Sequence, residues 1–337
     1  MNLGEERYSK YALVREMMET IEVVRTFAPE RTASVAKKIA AAGSLFLTGE
    51  GSSRIFPAKN AIRKALRWGT DLRLATDGSR QSSEYDLSRF AVFLASNSGR
   101  TKEVVTLARK IKDEGNSNRF GLSANQGTAL EAECVETFVL GCGWEQAVAA
   151  TKSVVEQALF YESVLRHVAG KPPIQCAELA DAIAAALTLP ISSDIVAAAA
   201  GASTIYFAGY NDGVAEELTL KTNEMTRRKS DFLEGTYAVH GIEEVMTSKD
   251  VVFLVDPIVE EVGKFREVLE QGVGLKVVAI SAKDTPFATV KVPDLGDLNP
   301  FVLLCAGWNL LVEIGLRLGI NLDKAERARK VGNEIPG

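Results

Sequence analysis

Ser96, Ser98 and Thr101 share one short stretch, Ser96-Asn97-Ser98-Gly99-Arg100-Thr101. The apolar run Phe90–Ala95 precedes it, and an amphipathic run from Lys102 towards Glu114 follows. This order predicts a buried strand, a hydroxyl-rich turn and a helix. Such a junction binds anions, because unpaired N–H groups and the positive end of the helix dipole face the turn. The three hydroxyls add donors without adding charge, which suits a phosphate ester. Serine and threonine are also ordinary helix caps, and from this segment alone that reading stays open. A second junction, Gly51-Ser52-Ser53, follows the apolar Leu45-Phe46-Leu47-Thr48. In a doubly wound sheet two such turns can converge where successive connections run opposite ways. Neither has the Gly-Lys-Ser/Thr of a P-loop, so nucleotide hydrolysis is not indicated.

A second set of reactive groups lies downstream. Glu217, Lys221 and Glu224 fall at i, i+4 and i+7, on one face of an expected helix. A solvated salt-bridge stripe is the ordinary reading of that spacing. His240 follows in Gly235-Thr236-Tyr237-Ala238-Val239-His240-Gly241, sixteen residues beyond Glu224. A carboxylate and an imidazole are equipment for moving protons beside a carbonyl. The carboxylate takes a proton from one carbon and returns it to the next, while the imidazole opens a sugar ring. A nearby ammonium stabilises the enediolate that develops.

The elements needed to hold these groups are legible. Strands are expected at 45–48, 72–75, 90–95, 119–122 and 135–140, with helices at 8–41, 55–68, 102–114 and 145–168. Alternating strands and helices indicate a parallel, doubly wound α/β sheet with its ligand at the carboxyl ends of the strands. Gly170-Lys171-Pro172-Pro173 breaks the pattern and is the expected boundary between domains 1–170 and 171–337. The second half runs helical to about 200, then has a strand at 204–208, a glycine turn at 209–213 and a helix at 214–225. Further strands are expected at 251–255 and 275–281, and a last helix at 299–319. Strand, glycine turn and helix repeat those at 45–68, a weak internal duplication. The duplicate has Asp256-Pro257 where the first half has Ser96–Thr101, so the anion site is assigned to the first half.

Composition excludes several classes. A chain of 337 residues suits two domains, and 46% hydrophobic with 25% charged residues is ordinary for a globular protein. A net charge of −5 provides no footprint for nucleic acid. The apolar stretches carry polar breaks and the N-terminus is acidic, so neither a membrane span nor a signal peptide is expected. Four cysteines lack metal-like spacing and only two histidines exist, so no metal site is expected and free thiols in the cytoplasm are.

Together these pieces resemble a double sugar-isomerase (SIS) domain protein, similar to the isomerase domain of glucosamine-6-phosphate synthase. Five places carry the resemblance, which covers nearly the whole chain. Gly51-Ser52-Ser53 is similar to the family's first phosphosugar turn. Ser96–Thr101 resembles Ser-Gln-Ser-Gly-Glu-Thr, with Asn97 for Gln and Arg100 for Glu. Glu145–Lys152 resembles Glu-x-x-Val-Ala-Ser-Thr-Lys, with Ala150 for Ser. Leu220-Lys221-Thr222-Asn223-Glu224 resembles Leu-Lys-x-Lys-Glu, followed at family spacing by His240-Gly241, with Ile242 where the family has Pro. Ala328-Arg329-Lys330 falls where the family has a tail Ala-Lys.

The resemblance implies two flavodoxin-like parallel-sheet domains in tandem, each a three-layer αβα sandwich. It implies that Gly51, Ser52, Ser53, Ser96, Asn97, Ser98 and Thr101 hold a sugar phosphate, with Val148 and Ala150 touching the sugar by backbone. It makes Glu224 the C1–C2 base, His240 the ring-opening group and Lys221 and Lys330 neighbours of the reacting carbons. It also implies a homodimer with sites near the subunit interface and no cofactor. The activity implied is isomerisation of a 6-phosphosugar or amino sugar, with or without release of amine as in a glucosamine-6-phosphate deaminase. No glutamine-hydrolysing domain or N-terminal cysteine nucleophile is seen, so full synthase activity is not expected. Deglycation of a phosphorylated fructosyl-amino acid uses the same proton transfer. A non-catalytic phosphosugar-binding regulator would keep the serines and lose the acid–base pair.

Overall fold

A computed structural model describes residues 1–329 and 333–335. Among these residues ten strands form two sheets. In the first, β1 (Ser44–Gly49), β2 (Arg73–Gly78), β3 (Ala91–Ala95), β4 (Arg119–Ser123) and β5 (Glu136–Val139) lie in the order β2-β1-β3-β4-β5. In the second, β6 (Ile205–Gly209), β7 (Ser230–Glu234), β8 (Val251–Val255), β9 (Lys276–Ser281) and β10 (Ala288–Lys291) lie in the order β7-β6-β8-β9-β10. Every pairing is parallel. The two orders are the same, so the duplication expected from one repeated junction extends over whole sheets. The ligand crevice of such a sheet lies at the carboxyl ends of the strands corresponding to β1 and β3, where the order reverses.

The core strands read as continuous apolar runs because both faces are covered: β1, β3, β6 and β8 are buried throughout. The strands missed by pattern, β7 and β10, are edge strands with exposed polar residues, Ser-Asp-Phe-Leu-Glu and Ala-Thr-Val-Lys. These two keep too few apolar residues to form a run, whereas the edge strands β2 and β5 of the first sheet fall at the expected 72–75 and 135–140.

Two compact units emerge, one built on each sheet. One comprises 22–145, 150–176 and the tail from 327; the other comprises 1–21, 146–149 and 177–326. In the first, Phe46, Val92 and Leu94 of the sheet pack with Val104, Leu107 and Ile111 of the helix Lys102–Asp113. In the second, Tyr206, Leu254 and Val277 pack with Phe265 and Leu269.

The long helices differ from expectation at proline and at one carboxylate. The pattern over 8–41 is interrupted at Pro29, between the helices Ala12–Arg25 and Ala33–Ala42. Pro190 separates Cys176–Thr188 from Ser193–Gly201. The expected helix from 145 begins only at Lys152, because Glu145 is spent on the loop before it. The helix Asn299–Arg317 is long and apolar enough to cross a membrane, but 89% of its most apolar window is buried inside the protein, as in a core helix.

Candidate functional site

The first hydroxyl turn depends on a bare backbone. A Cβ on Gly49 would lie 2.9 Å from both the Ala95 and Ser53 carbonyl oxygens, so only glycine lets β1 end against β3 and its own turn. Ser52 is buried and Ser53 half-buried in the 3-10 turn Gly51–Ser53. The Ser53 carbonyl accepts a hydrogen bond from Gln157 Nε2.

In the second turn, Gly99 has φ +65°, and a Cβ there would meet Thr128 at 2.4 Å. Ser96 Oγ, buried, lies 2.8 Å from Thr101 Oγ1. Ser98 Oγ accepts from the Arg100 N–H at 3.2 Å. Thr101 is the N-cap of the helix Lys102–Asp113, yet its side chain makes no capping hydrogen bond. The capping explanation for these hydroxyls therefore does not hold for Thr101. The tail lies along this turn: the Lys102 N–H donates to Asn333 O and the Ile335 N–H to Arg100 O, both at 3.0 Å. Thr101 and Glu334 form an antiparallel bridge, and Ile335 packs on the core beneath.

Asn97 is held by a carboxylate that the pattern did not single out as functional. Its Nδ2 donates to Glu145 Oε2 at 3.1 Å. Glu145 is fully buried and also accepts from the Thr151 N–H at 2.6 Å, Thr151 Oγ1 at 3.0 Å and Ser153 Oγ at 2.5 Å. One carboxylate thus ties the serine turn to the loop before Lys152. The sequence signal was a glutamate opening a mostly apolar run that closes on Thr151-Lys152-Ser153. Val148 and Ala150 are half-buried in this loop. Within the other unit, Glu16 accepts from the Gln146 and Ala147 N–H groups.

The acid–base residues lie in that other unit. Glu217 and Lys221 are fully buried on the helix Val214–Thr226, and only Glu224 reaches solvent, its side chain 27% exposed. Lys221 Nζ lies 3.3 Å from Glu217 Oε1 and 2.9 Å from Glu224 Oε2. Burial works to lower the Lys221 pKa, but Glu224 and Glu217 outweigh it and raise it, so the ammonium stays charged. The solvated-stripe reading is therefore corrected: two of the three charges are inside. His240 is exposed, after the short 3-10 turn Tyr237–Val239. Among the described residues its ring has no hydrogen-bond or ion-pair partner. Lys330 lies outside the described residues. Among those described, no cluster of three or more His, Cys, Asp or Glu residues is placed to hold a metal.

No protein-family profile and no curated protein sequence matches the chain. Solved structures do. The C-terminal domain of glucosamine-fructose-6-phosphate aminotransferase from Francisella tularensis superposes with TM-score 0.77 at 16% identity, over 95% of this chain and 100% of that one. Glucosamine-6-phosphate deaminase from Thermotoga maritima gives 0.71 at 18%, over 94% and 99%. Tagatose-6-phosphate ketose/aldose isomerase from Escherichia coli gives 0.78 at 18%, over 95% and 97%. At these identities the likeness defines the fold. The chain has the tandem sugar-isomerase fold that its motifs resemble.

Proposed function

We propose that the protein is a phosphosugar isomerase-type enzyme acting on a 6-phosphorylated sugar or amino sugar. The observation that carries this reading is the buried Glu217–Lys221 pair with Glu224 on its solvent side. Burying two charges costs several kcal/mol, and Glu224 is the member of the trio that a substrate can reach from solvent. In this reading Glu224 removes the proton from one of C1 and C2 and returns it to the other through an enediol or enolamine. Lys221, charged throughout, faces the developing oxyanion, and His240 opens the ring. Gly51, Ser52, Ser53, Ser96, Asn97, Ser98 and Thr101 hold the phosphate and sugar, and Val148 and Ala150 contact the sugar by backbone; a role for Lys330 near C1–C2 rests on the motif resemblance alone. With an amino sugar, hydrolysis of the imine at C2 releases ammonia; with a fructosyl-amino acid the proton moves from C1 to C2, and water hydrolyses the resulting imine at C1 to release the amino acid. The solved structures of like fold include an enzyme named as a deaminase and one named as a ketose/aldose isomerase, which supports the class. A regulator that only binds phosphosugars would not need Glu224, Lys221 and His240 together.

The test is incubation in D2O with a panel of 6-phosphosugars and fructosyl-amino-acid 6-phosphates, followed by mass detection. Deuterium at C1 or C2, or a new product, is expected for at least one member. Binding without exchange or product across the panel would leave only the regulator.

Ser96→Ala and Ser98→Ala are expected to raise KM about 10-fold or more with little change in kcat. Each removes a hydrogen bond to a charged group, about 1.5–3 kcal/mol, present from substrate to product. Unchanged saturation in both variants would move the phosphate elsewhere.

A homodimer is expected in sedimentation, because an exposed His240 whose ring has no partner among the described residues suits donation to a second subunit, and two-fold pairs are the commonest assembly. Full activity in a monomeric peak would defeat that expectation.

A further inference from the structure

Beside the first hydroxyl turn is a cavity of about 520 Å³ that none of these roles uses. Glu50 and Arg54, which flank Gly51-Ser52-Ser53, form one wall, and Asp77, Arg80, Glu84 and Tyr85 contribute to the rest. It opens at the carboxyl ends of β1 and β2, where Thr48 pairs with Asp77.

Several of its polar groups are already committed. Asp77 accepts from the Gly78 N–H at 2.8 Å, Gln81 Nε2 at 2.7 Å and Tyr85 OH at 2.6 Å. Arg80 donates from Nη1 to Ser83 Oγ at 3.1 Å, and its N–H donates to Glu50 Oε1 at 3.2 Å. Arg54 differs. It is half-buried, and among the described residues no hydrogen bond or close ion pair holds its guanidinium, which interacts with the Glu50 carboxylate only through space. Glu84, on the same cavity, is exposed.

Three carboxylates against two guanidiniums make the lining formally −1. A phosphate dianion is disfavoured there, so the cavity is not a second phosphate site. A zwitterion fits: a guanidinium fork pairs bidentately with a carboxylate, and carboxylates across the cavity take an ammonium. The Glu50 carboxyl supports this. Burial raises its pKa more than the Arg80 N–H and Arg54 lower it, so it gains from an incoming cation.

We propose that this cavity binds an α-amino acid, its carboxylate on Arg54 and its amine on Glu50 and Glu84. The amino acid is either free or the leaving part of a fructosyl-amino-acid 6-phosphate; the second source rests on the phosphosugar reading above, the first does not.

Calorimetric titration of the full chain tests it, with alanine, lysine, fructose 6-phosphate and fructosyl-glycine 6-phosphate as probes. The parent is expected to bind fructosyl-glycine 6-phosphate about 10-fold or more tighter than fructose 6-phosphate, the scale of one charge-assisted pair. Arg54→Gln is expected to bring that ratio close to one, and Glu84→Gln, at an exposed position, to reduce it by a smaller factor. A ratio near one with Arg54-dependent binding of free alanine or lysine assigns the cavity to a free amino acid. Failure of every 6-phosphosugar to bind, with amino-acid binding retained and lost in Arg54→Gln, overturns the phosphosugar reading and leaves the subsite standing. A ratio near one with no Arg54-dependent amino-acid binding overturns the subsite, as does a ratio that Arg54→Gln leaves intact.

Discussion

Glu224→Gln is expected to lower turnover by about 100-fold or more while substrate still binds, since positioned acid–base groups contribute about 10²–10⁴. Glutamine nearly matches glutamate in shape and keeps an oxygen for Lys221 Nζ, now 2.9 Å from Glu224 Oε2. Glu224 is also the one member of the trio that reaches solvent, so the loss in stability should stay near the ~1 kcal/mol of an ordinary substitution. The direct readout is solvent deuterium at C1 or C2 of substrate recovered before completion. Were Glu224 only an ion-pair partner, worth about 0.3–0.5 kcal/mol on a helix surface, activity would be untouched. A variant that exchanges deuterium as fast as the parent would falsify the base assignment and the isomerase reading with it.

Lys221→Met should be the most destabilising of the substitutions considered. It leaves the buried Glu217 and the partly buried Glu224 without the ammonium between them. Removing one partner of a buried pair costs about 3–5 kcal/mol, or roughly 6–20 °C in Tm for a unit of this size. The double variant Glu217→Gln/Lys221→Met removes the uncompensated charge and should recover most of that loss. It should not recover activity, because the proposed mechanism needs the ammonium at the oxyanion and the double variant still lacks it. Recovery of both Tm and kcat in the double variant would make the trio structural. The contribution is not pH-tunable near neutrality. The folded-state pKa of Lys221 is raised, so its stabilisation is complete below the ordinary lysine value, about 10.4, and is lost only as pH rises above it.

Much of the architecture was legible in the chain because both faces of a parallel sheet are covered. β1, β3, β6, β8 and β9 announce themselves as apolar runs, and the hydroxyl or glycine turns that follow β1, β3 and β6 mark the carboxyl ends of those strands. The edge strands β7 and β10 were not, since their solvated residues read as loop. The early end of the loop at 145–151 was invisible for a different reason. Its residues have helical spacing, but a fully buried Glu145 binds the Thr151 N–H and hydroxyl and fixes a non-helical path.

The candidate site divides in the same way. Residue types and spacing alone determined which groups can do chemistry: Ser52, Ser53, Ser96, Ser98 and Thr101 as uncharged donors, Glu224 and His240 as proton carriers. They also determined that Glu217, Lys221 and Glu224 share a face. Whether that face meets water or core is not written in its own period, because an i, i+4, i+7 stripe looks the same in either place. Packing of the helix Val214–Thr226 decided it, burying Glu217 and Lys221 and leaving Glu224 at the edge. Only tertiary structure brought Asn97 to Glu145, 48 residues away, and joined Glu50, Arg54 and Glu84 around one cavity. Those contacts depend on strand order, and strand order follows from how whole βαβ units pack, which no local pattern of residues encodes.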